Sequence, residues 1–169
     1  MKFSTELFIQ VMRRPMGETE MDWIPVGEGP GYFDLDTTDE IALYLPRAED
    51  ETVLIMADEW LGCPMLRMID ISEGRRVTDK GLRAIARMHQ LTMLNVGSCG
   101  ISNVGLESVV KMPNLIWLDL SHCTGIGDLG LRRMEKMTHL EYIDLHGLPR
   151  PTTGGYKRLA KRKSLKIRR

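Results

Sequence analysis

A leucine that recurs at nearly constant intervals along the second half of the chain constrains the fold more than any other feature. Successive copies are separated by 25, 24, 25 and 25 residues. The recurring positions are Leu66, Leu91, Leu115, Leu140 and Leu165. A fixed period of this length indicates stacked copies of one supersecondary unit, because a single copy cannot bury its own apolar faces.

Each recurring leucine opens a strand-like segment. The segments read LRMIDIS, LTMLNVG, LIWLDLS, LEYIDLH and a shorter LKIRR, with apolar residues at the first, fourth and sixth places. This two-residue alternation predicts a short strand with one buried face. The predicted core pairs are Ile69/Ile71, Leu94/Val96, Leu118/Leu120 and Ile143/Leu145.

A second signal follows each predicted strand. It reads VTDKGL, ISNVGL, IGDLGL and PTTGGY, and apolar residues then recur at helical spacing. The side-chain oxygens of Asp79, Asn103, Asp128 and Thr153 suit helix N-caps, because they can accept a free backbone N–H. One unit is therefore predicted to contain a strand, a turn, a capped helix and a return to the next strand, with the strands parallel.

The pattern LxxLxLxxC followed by ITDxGL resembles the cysteine-containing leucine-rich repeats. The match is close from Leu115 to Cys123 and from Ile126 to Leu131, whereas Gly74 and Leu148 occupy the cysteine place in other units. The resemblance covers about residues 66–169. It implies an α/β, right-handed solenoid with a parallel strand ribbon on the concave side and helices on the convex side. It also implies a non-catalytic role in protein recognition, as a scaffold or assembly factor.

Residues 1–50 do not show the repeat. Alternating apolar residues at Phe33 and Leu35 and at 41–45 flank the polar segment DTTDE, which predicts a hairpin or small sheet. The segment EDETVLIMADEWLGCP predicts a helix, so that 41–65 resembles a degenerate first unit. We interpret residues 1–65 as an N-terminal cap on the four repeats and terminal strand of 66–169, since terminal solenoid units are atypical. A separate functional module is the alternative.

Charge distribution and cysteine content further limit the class of protein and its compartment. Residues 1–60 contain 14 acidic and four basic residues, whereas the remainder contains nine acidic and 19 basic residues. Three cysteines without a secreted framework pattern predict free thiols in a reducing compartment, most simply the cytoplasm. No signal peptide is predicted, and no apolar run reaches the roughly 18 residues of a membrane span.

The strand positions between the core residues predict the functional surface, because they form rows across the concave side. An apolar row contains Met68, Met93, Trp117 and Tyr142, and a polar row contains Asp70, Asn95, Asp119 and Asp144. An exposed apolar row with Trp and Tyr is typical of a protein-docking surface. The partner is predicted to contact both rows and His146, with positive charge opposite the aspartates. The alternative is that another part of the chain covers the apolar row.

Two other functions remain open. Eight basic residues in the segment YKRLAKRKSLKIRR suit either protection of the sheet edge or an electrostatic adaptor for nucleic acid or anionic membrane. Ser121 beside His146, with Asp144 or Asp119 nearby, contains the residue types of a hydrolase, but no oxyanion hole is evident. A metal site at His146, Asp144 and Asp119 has too few ligands. No cofactor is predicted.

Overall fold

The computed structural model describes residues 1–169, which form ten strands and five helices. The strands are β1 (Lys2–Thr5), β2 (Gln10–Pro15), β3 (Ile24–Glu28), β4 (Gly31–Asp34), β5 (Asp39–Tyr44), β6 (Leu66–Asp70), β7 (Met93–Asn95), β8 (Trp117–Asp119), β9 (Tyr142–Asp144) and β10 (Lys166–Arg168). The helices are α1 (Asp50–Trp60), α2 (Asp79–Ile85), α3 (Leu106–Val109), α4 (Asp128–Met134) and α5 (Thr153–Leu159).

One eight-stranded sheet runs through the molecule in the order β10-β9-β8-β7-β6-β5-β2-β3. The strands from β5 to β10 are parallel, and β2 and β3 extend the sheet in antiparallel fashion. Each parallel crossover between β5 and β10 contains one helix, and neighbouring helices pack together along the row. The predicted alternation of strand and helix is therefore the observed architecture.

A single core of 45 buried residues extends from the N-terminal region to the last repeat. The predicted core positions Ile69, Leu94, Leu118 and Ile143 are each 0% exposed. Ile9, Val11, Phe33 and Leu35 belong to the same cluster. The N-terminal region and the repeats are therefore joined by one continuous hydrophobic core.

The N-cap prediction is wrong for Asp79, Asn103 and Asp128, because each of them binds the following repeat rather than its own helix, and Thr153 is the first residue of α5 rather than its cap. Asp79 accepts hydrogen bonds from the backbone N–H and hydroxyl of Ser102 at 2.8 and 2.6 Å. Asn103 accepts from the N–H groups of Gly127 and Gly130, and Asp128 accepts from Thr152. The residues that precede α2 and α5 act as the local caps; they are Thr78 and Thr152.

Asp50, at the start of α1, extends this series into the N-terminal region. Its carboxylate accepts hydrogen bonds from the Thr78 N–H and hydroxyl and from the Gly81 N–H, at 2.6 to 2.9 Å. We call Asp50, Asp79, Asn103 and Asp128 the clasp residues. Each clasp residue accepts hydrogen bonds at or shortly before the start of the helix one repeat away, so the clasp fixes the stacking of successive units.

The glycine of the recurring xGL signal makes room for the clasp. A Cβ atom added at Gly81 would lie 2.8 Å from Asp50 Oδ1, and one at Gly130 would lie 2.7 Å from Asn103 Oδ1. The same substitution at Gly155 would overlap the carboxylate of Asp128. Glycine is therefore required at this place because the preceding repeat fills the space of a side chain.

Of the hairpin or small sheet predicted around DTTDE, the hairpin does not form, although both flanking segments are strands of sheets. Strand β4 pairs with β1 in a separate two-stranded sheet, and β5 pairs with β2 and β6. The antiparallel neighbours that are joined directly are β2 and β3. The two strands flanking DTTDE therefore belong to different sheets.

Residues 41–60 follow the geometry of the repeats. Strand β5 pairs in parallel with β6, and α1 packs against α2. The turn after β5 has a left-handed residue, Arg47 with φ 56°, and the turns after β6, β7 and β8 have the same feature at Glu73, Ser98 and His122 with φ 60°, 59° and 57°. None of the helices has the length and apolar character that crossing a membrane requires.

Candidate partner-docking face

The strand face, meaning the sheet surface turned away from the helices, carries the predicted apolar row in register. Met68 is paired with Met93, Met93 with Trp117, and Trp117 with Tyr142. All four side chains are half-exposed, whereas the residue that follows each of them is buried. The two-residue alternation of a strand produces this arrangement, because adjacent side chains point to opposite faces.

The apolar row continues into the N-terminal region, which sequence reasoning missed. Ala42 of β5 is the register partner of Met68, and Met12 of β2 is the partner of Ala42. We call the six residues Met12, Ala42, Met68, Met93, Trp117 and Tyr142 the apolar stripe. It crosses six strands, so its length is about 24 Å at a strand spacing of about 4.8 Å. The alternation of Ile41, Leu43 and Leu45 identifies Ala42 as a residue of the strand face.

Trp117 and Tyr142 form the widest part of the stripe. Their ring centroids are 5.5 Å apart and their planes differ by 5°. Such offset stacking adds to the stability of an aromatic pair beyond the area that it buries. Because one face of each ring is covered by the other ring, the pair offers ring edges and apolar grooves rather than an open stacking platform.

The polar row has a structural role that the sequence did not reveal. In each unit the side-chain Oδ1 accepts the backbone N–H of the residue two places later, at 2.7 to 3.0 Å. These acceptors are Asp70, Asn95, Asp119 and Asp144. The side chains thereby close a tight turn at the end of each strand, which explains why Asp or Asn occupies this place in every unit.

Asp144 is not an exposed acid, which corrects the prediction that it faces a partner's positive charge. It is 2% exposed, and its Oδ2 lies 3.1 Å from a guanidinium nitrogen of Arg168. Asp70 is also engaged, because its Oδ2 accepts a 2.9 Å hydrogen bond from Asn95 Nδ2. Asp119 is half-exposed and accepts a hydrogen bond only at Oδ1, so it is the member of the row most available to an external cation.

His146 lies at the end of the strand face and is exposed. Its imidazole contacts that of His122 in an edge-to-face arrangement, with ring centroids 5.1 Å apart. Asp144 accepts a hydrogen bond from the backbone N–H of His146 rather than from its imidazole. No hydrogen bond joins Ser121 Oγ to a histidine, so the structure does not assemble the Ser121, His146 and Asp144 arrangement of a hydrolase.

The structure does not assemble the metal site considered at His146, Asp144 and Asp119. The two carboxylate oxygens of Asp144 are engaged by the His146 N–H and by Arg168. No group of three or more His, Cys, Asp or Glu side chains has an arrangement that could hold a metal ion. Asp119, Asp144 and His146 therefore do not form a ligand set.

The cysteines lie in the core and make structural contacts. The Cys99 thiol donates to the carbonyl oxygen of Ile71 at 3.3 Å, and the Cys123 thiol donates to that of Val96 at 3.1 Å. Each bond joins one repeat to the preceding one. Burial raises the pKa of both thiols to about 12, so the reactive thiolate form is suppressed at neutral pH.

A row of parallel strands on one side and a row of helices on the other, built from units of about 25 residues, defines a leucine-rich repeat architecture. Residues 88–110 and 111–134 match the family model described as Leucine Rich repeat. Residues 88–134 are thus leucine-rich repeats, as the sequence pattern predicts.

Two solved structures have a similar fold. A chain of the Rad7 and Elc1 complex from yeast superimposes with a TM-score of 0.62 and 16% identity, over 73% of this chain and 31% of that chain. The actin-binding site 2 of leiomodin-1 gives a TM-score of 0.54 at 16% identity, over 68% of this chain and 73% of that chain. This chain spans about a third of the Rad7–Elc1 chain that it matches.

Proposed function

We propose that the protein is a non-catalytic protein-interaction module that binds a protein partner on its strand face. The apolar stripe carries this proposal. Six register-paired residues form an apolar row; five of them are half-exposed methionine, tryptophan and tyrosine side chains, and the sixth, Ala42, is buried. The core positions of the same strands are already filled, so burial within the repeat does not explain this row.

The composition of the stripe favours a particular partner chemistry. Trp and Tyr are enriched among the residues that dominate protein interfaces, and methionine adapts to irregular apolar shapes. The stacked rings of Trp117 and Tyr142 leave edges and grooves, which suit aliphatic side chains of a partner. Asp119 beside the stripe suits a lysine or arginine next to those apolar residues.

The remaining residues of the proposed site have supporting roles. Asp70 and Asn95 line the stripe but use their side chains within the turns, and His146 adds an exposed edge. Asp144 contributes indirectly by holding Arg168 at the end of the polar row. We therefore expect Met68, Met93, Trp117 and Tyr142 to dominate the binding energy.

Leucine-rich repeats and the similar folds support a protein as the partner. One of the similar structures is a complex of Rad7 with Elc1, and the other is an actin-binding site of leiomodin-1. Within the same proposal, residues 1–65 act as a cap that shares the core with repeats 66–169. The three buried free thiols are consistent with a reducing intracellular compartment.

Site-specific photo-crosslinking tests the proposal. A photoreactive residue replaces Ile116, which is 37% exposed beside the stripe. In two control variants it replaces Val104, 55% exposed just before α3, or Leu129, 52% exposed within α4. We expect one dominant cross-linked protein from position 116, and loss of that product when Trp117→Ala and Tyr142→Ala are added. A product that forms equally at 104 and 129, or that persists in the double variant, contradicts binding on the strand face.

A further inference from the structure

The formal net charge of zero conceals a strongly basic end of the molecule. Residues 128–169 contain 12 basic and four acidic residues, and the last 25 residues contain nine basic residues and no acidic one. The positive charge is thus concentrated in the last two helices, in β10 and in the turns between them.

Four of the 12 basic residues serve the fold, and the first of them, Arg133, donates to the carbonyl oxygen of Asn103 and pairs with Glu107. Arg162 donates to the carbonyl oxygens of Thr138 and Leu140, and Arg168 pairs with Asp144. The guanidinium of Arg169 lies over the ring of Tyr156, 5.8 Å from its centroid. These contacts account for the basic side chains that stabilise the last repeat.

Eight further basic residues are exposed and form no ion pair. They are Arg132, Lys136, Arg150, Lys157, Arg158, Lys161, Lys163 and Lys166. We call this set the basic surface. It begins at α4 and α5, follows the turn after α5 and reaches β10 at the free edge of the sheet. Because protection of that edge needs charge only on β10, it does not account for the residues on the helices.

The acidic N-terminal region is too distant to neutralise the basic surface. Strands β3 and β10 form opposite edges of the eight-stranded sheet, which places them about 34 Å apart at a strand spacing of about 4.8 Å. The Debye length at physiological ionic strength is about 8 Å. A polyanion at the β10 end therefore experiences the local positive potential and not the net charge of the chain.

The surroundings of the basic surface distinguish among polyanions. Leu129 of α4 is the only large apolar residue exposed in residues 128–169, so the basic surface lacks the apolar face that an interfacial helix buries in a lipid bilayer. Two tyrosines lie nearby: Tyr156 is half-buried beneath Arg169, and Tyr142, the register partner of Lys166, is stacked on Trp117. Neither ring offers an open platform for unpaired bases. Recognition is thereby limited to charge, which suits the regularly spaced phosphates of a duplex.

We propose that the basic surface binds the phosphate backbone of double-stranded nucleic acid without reading its sequence. The strand face remains open in this arrangement, so that the module links a nucleic acid to a protein. The binding does not depend on the proposed protein partner, because the exposed charges lie in α4, α5, β10 and the adjoining turns, and only Lys166 adjoins the apolar stripe, next to Tyr142.

Fluorescence anisotropy with a labelled 20-base-pair duplex of mixed sequence tests this proposal. We expect binding whose logarithm falls linearly with the logarithm of salt concentration, with a slope of about −0.9 for each neutralised phosphate. The variant Lys157→Glu/Lys161→Glu/Lys163→Glu should bind at least about tenfold more weakly and with a slope shallower by about 2 to 3, because three phosphate contacts are lost.

The matched control is Arg75→Glu/Lys80→Glu/Arg83→Glu. It changes the net charge by the same amount at exposed positions near the start of the repeats. We expect less than about a twofold effect on duplex affinity, because these positions lie beyond a Debye length from the basic surface. Circular dichroism and thermal melting of both variants confirm that each is folded.

Several results would overturn the proposal. These are absence of duplex binding at 50 mM salt, equal loss in the two variants, and tighter binding to the matching single strand. Stronger binding to phosphatidylserine vesicles would instead assign the surface to a membrane. Equal binding to poly-glutamate, or salt-sensitive self-association by analytical ultracentrifugation, would assign it to an acidic protein surface or to the acidic end of a second copy.

Discussion

The N-terminal region and the repeats build one sheet by different means. In residues 66–169 each strand is parallel to the last, each turn is closed by an Asp or Asn, and the clasp residues join each helix to the next unit. In residues 1–34 the strands pair in antiparallel fashion, within this sheet or in a second one, and no contact recurs. A contact that is made in every repeat produces a period in the sequence. The N-terminal region covers the end of the solenoid only once, so it produces no period.

The two regions nevertheless depend on each other through shared contacts. Trp60 at the end of α1 is fully buried, stacks on Phe3 at 5.0 Å and lies near Phe33. Asp50 at the start of the same helix is bound by Thr78 and Gly81 of the first repeat. Helix α1 thus connects the irregular region to the regular one, and the comparison can be tested by perturbing either side of it.

The largest effect is expected for Trp60→Ala. Removing a fully buried aromatic side chain costs about 3–5 kcal/mol in the free energy of unfolding. Because the core is continuous, far-UV circular dichroism and tryptophan fluorescence should shift to the same lower midpoint of urea denaturation. The control Trp23→Ala removes a half-buried ring stacked on Arg14 at 4.4 Å and should cost about 1 kcal/mol or less. A second transition at the parental midpoint would mean that the two regions unfold independently.

Within the repeats, Gly155→Ala tests the clasp. The added methyl group overlaps the carboxylate of Asp128, and overpacking of this kind costs about 1–3 kcal/mol. The adjacent substitution Gly154→Ala is the control, because its nearest neighbour would be Thr152 Oγ1 at 3.4 Å, an ordinary contact. Denaturation midpoints measured in parallel should fall for Gly155→Ala alone. Equal midpoints for the two variants would show that the clasp does not restrict this place.

The predictable part of the fold follows from the same distinction between recurring and single contacts. The leucine period and the strand alternation predict β6 to β10 and the register of the apolar row. The caps are predicted for the wrong helix because a capping residue gives the same local signal whether it binds its own helix or the next one. The only sequence signal for the contact between units is the recurring glycine, at Gly81, Gly130 and Gly155, which leaves space for a side chain of the preceding unit.

The sequence predicts the two ends of the candidate site less well than its centre. The extension of the stripe to Met12 depends on an antiparallel pairing between β2 and β5. This pairing lies outside the sequence repeat, so the repeat does not predict it. The burial of Asp144 depends on Arg168, which lies in a basic segment that could equally remain solvated. Long-range pairs of this kind occur once in the chain, and sequence patterns alone do not specify them.

At the junction of the two regions, the pH dependence of stability tests Asp50. Burial would raise the pKa of Asp50, but hydrogen bonds from Thr78 and Gly81 outweigh it and hold the pKa below its usual value. The folded state therefore resists protonation, so this stabilisation is present above the ordinary carboxyl pKa of about 4 and is lost as pH falls through the lower folded value.

The variant Asp50→Asn retains an oxygen acceptor, as Asn103 does in its own repeat, and should cost about 1 kcal/mol or less at pH 7. We expect its melting temperature to fall less steeply than that of the parent between about pH 4 and pH 2. Asp36 and Asp128, whose pKa values are lowered by hydrogen bonds from Thr38 and Thr152, should preserve part of the slope. Parallel pH profiles for the parent and the variant would refute a role of the Asp50 carboxylate.

The smallest perturbation is thiol labelling, which leaves the native fold unchanged. Burial raises the pKa of Cys63 and raises those of Cys99 and Cys123 to about 12. We therefore expect no reaction with Ellman's reagent at pH 8 in the native protein and reaction of all three thiols in denaturant. Labelling of Cys63 alone in the native protein would indicate that the junction opens locally while the repeats remain closed.

Coverage of the strand face by a protein partner is the central claim, and hydroxyl-radical footprinting of the captured complex measures it directly. Methionine and the aromatic side chains that form the stripe react readily, so Met68, Met93, Trp117 and Tyr142 can be compared with Val104 and Leu129 in the same experiment. We predict that the four stripe residues become protected on binding and that the two helix-side residues do not. Unchanged oxidation of the stripe, with protection at Val104 and Leu129, would contradict binding on the strand face.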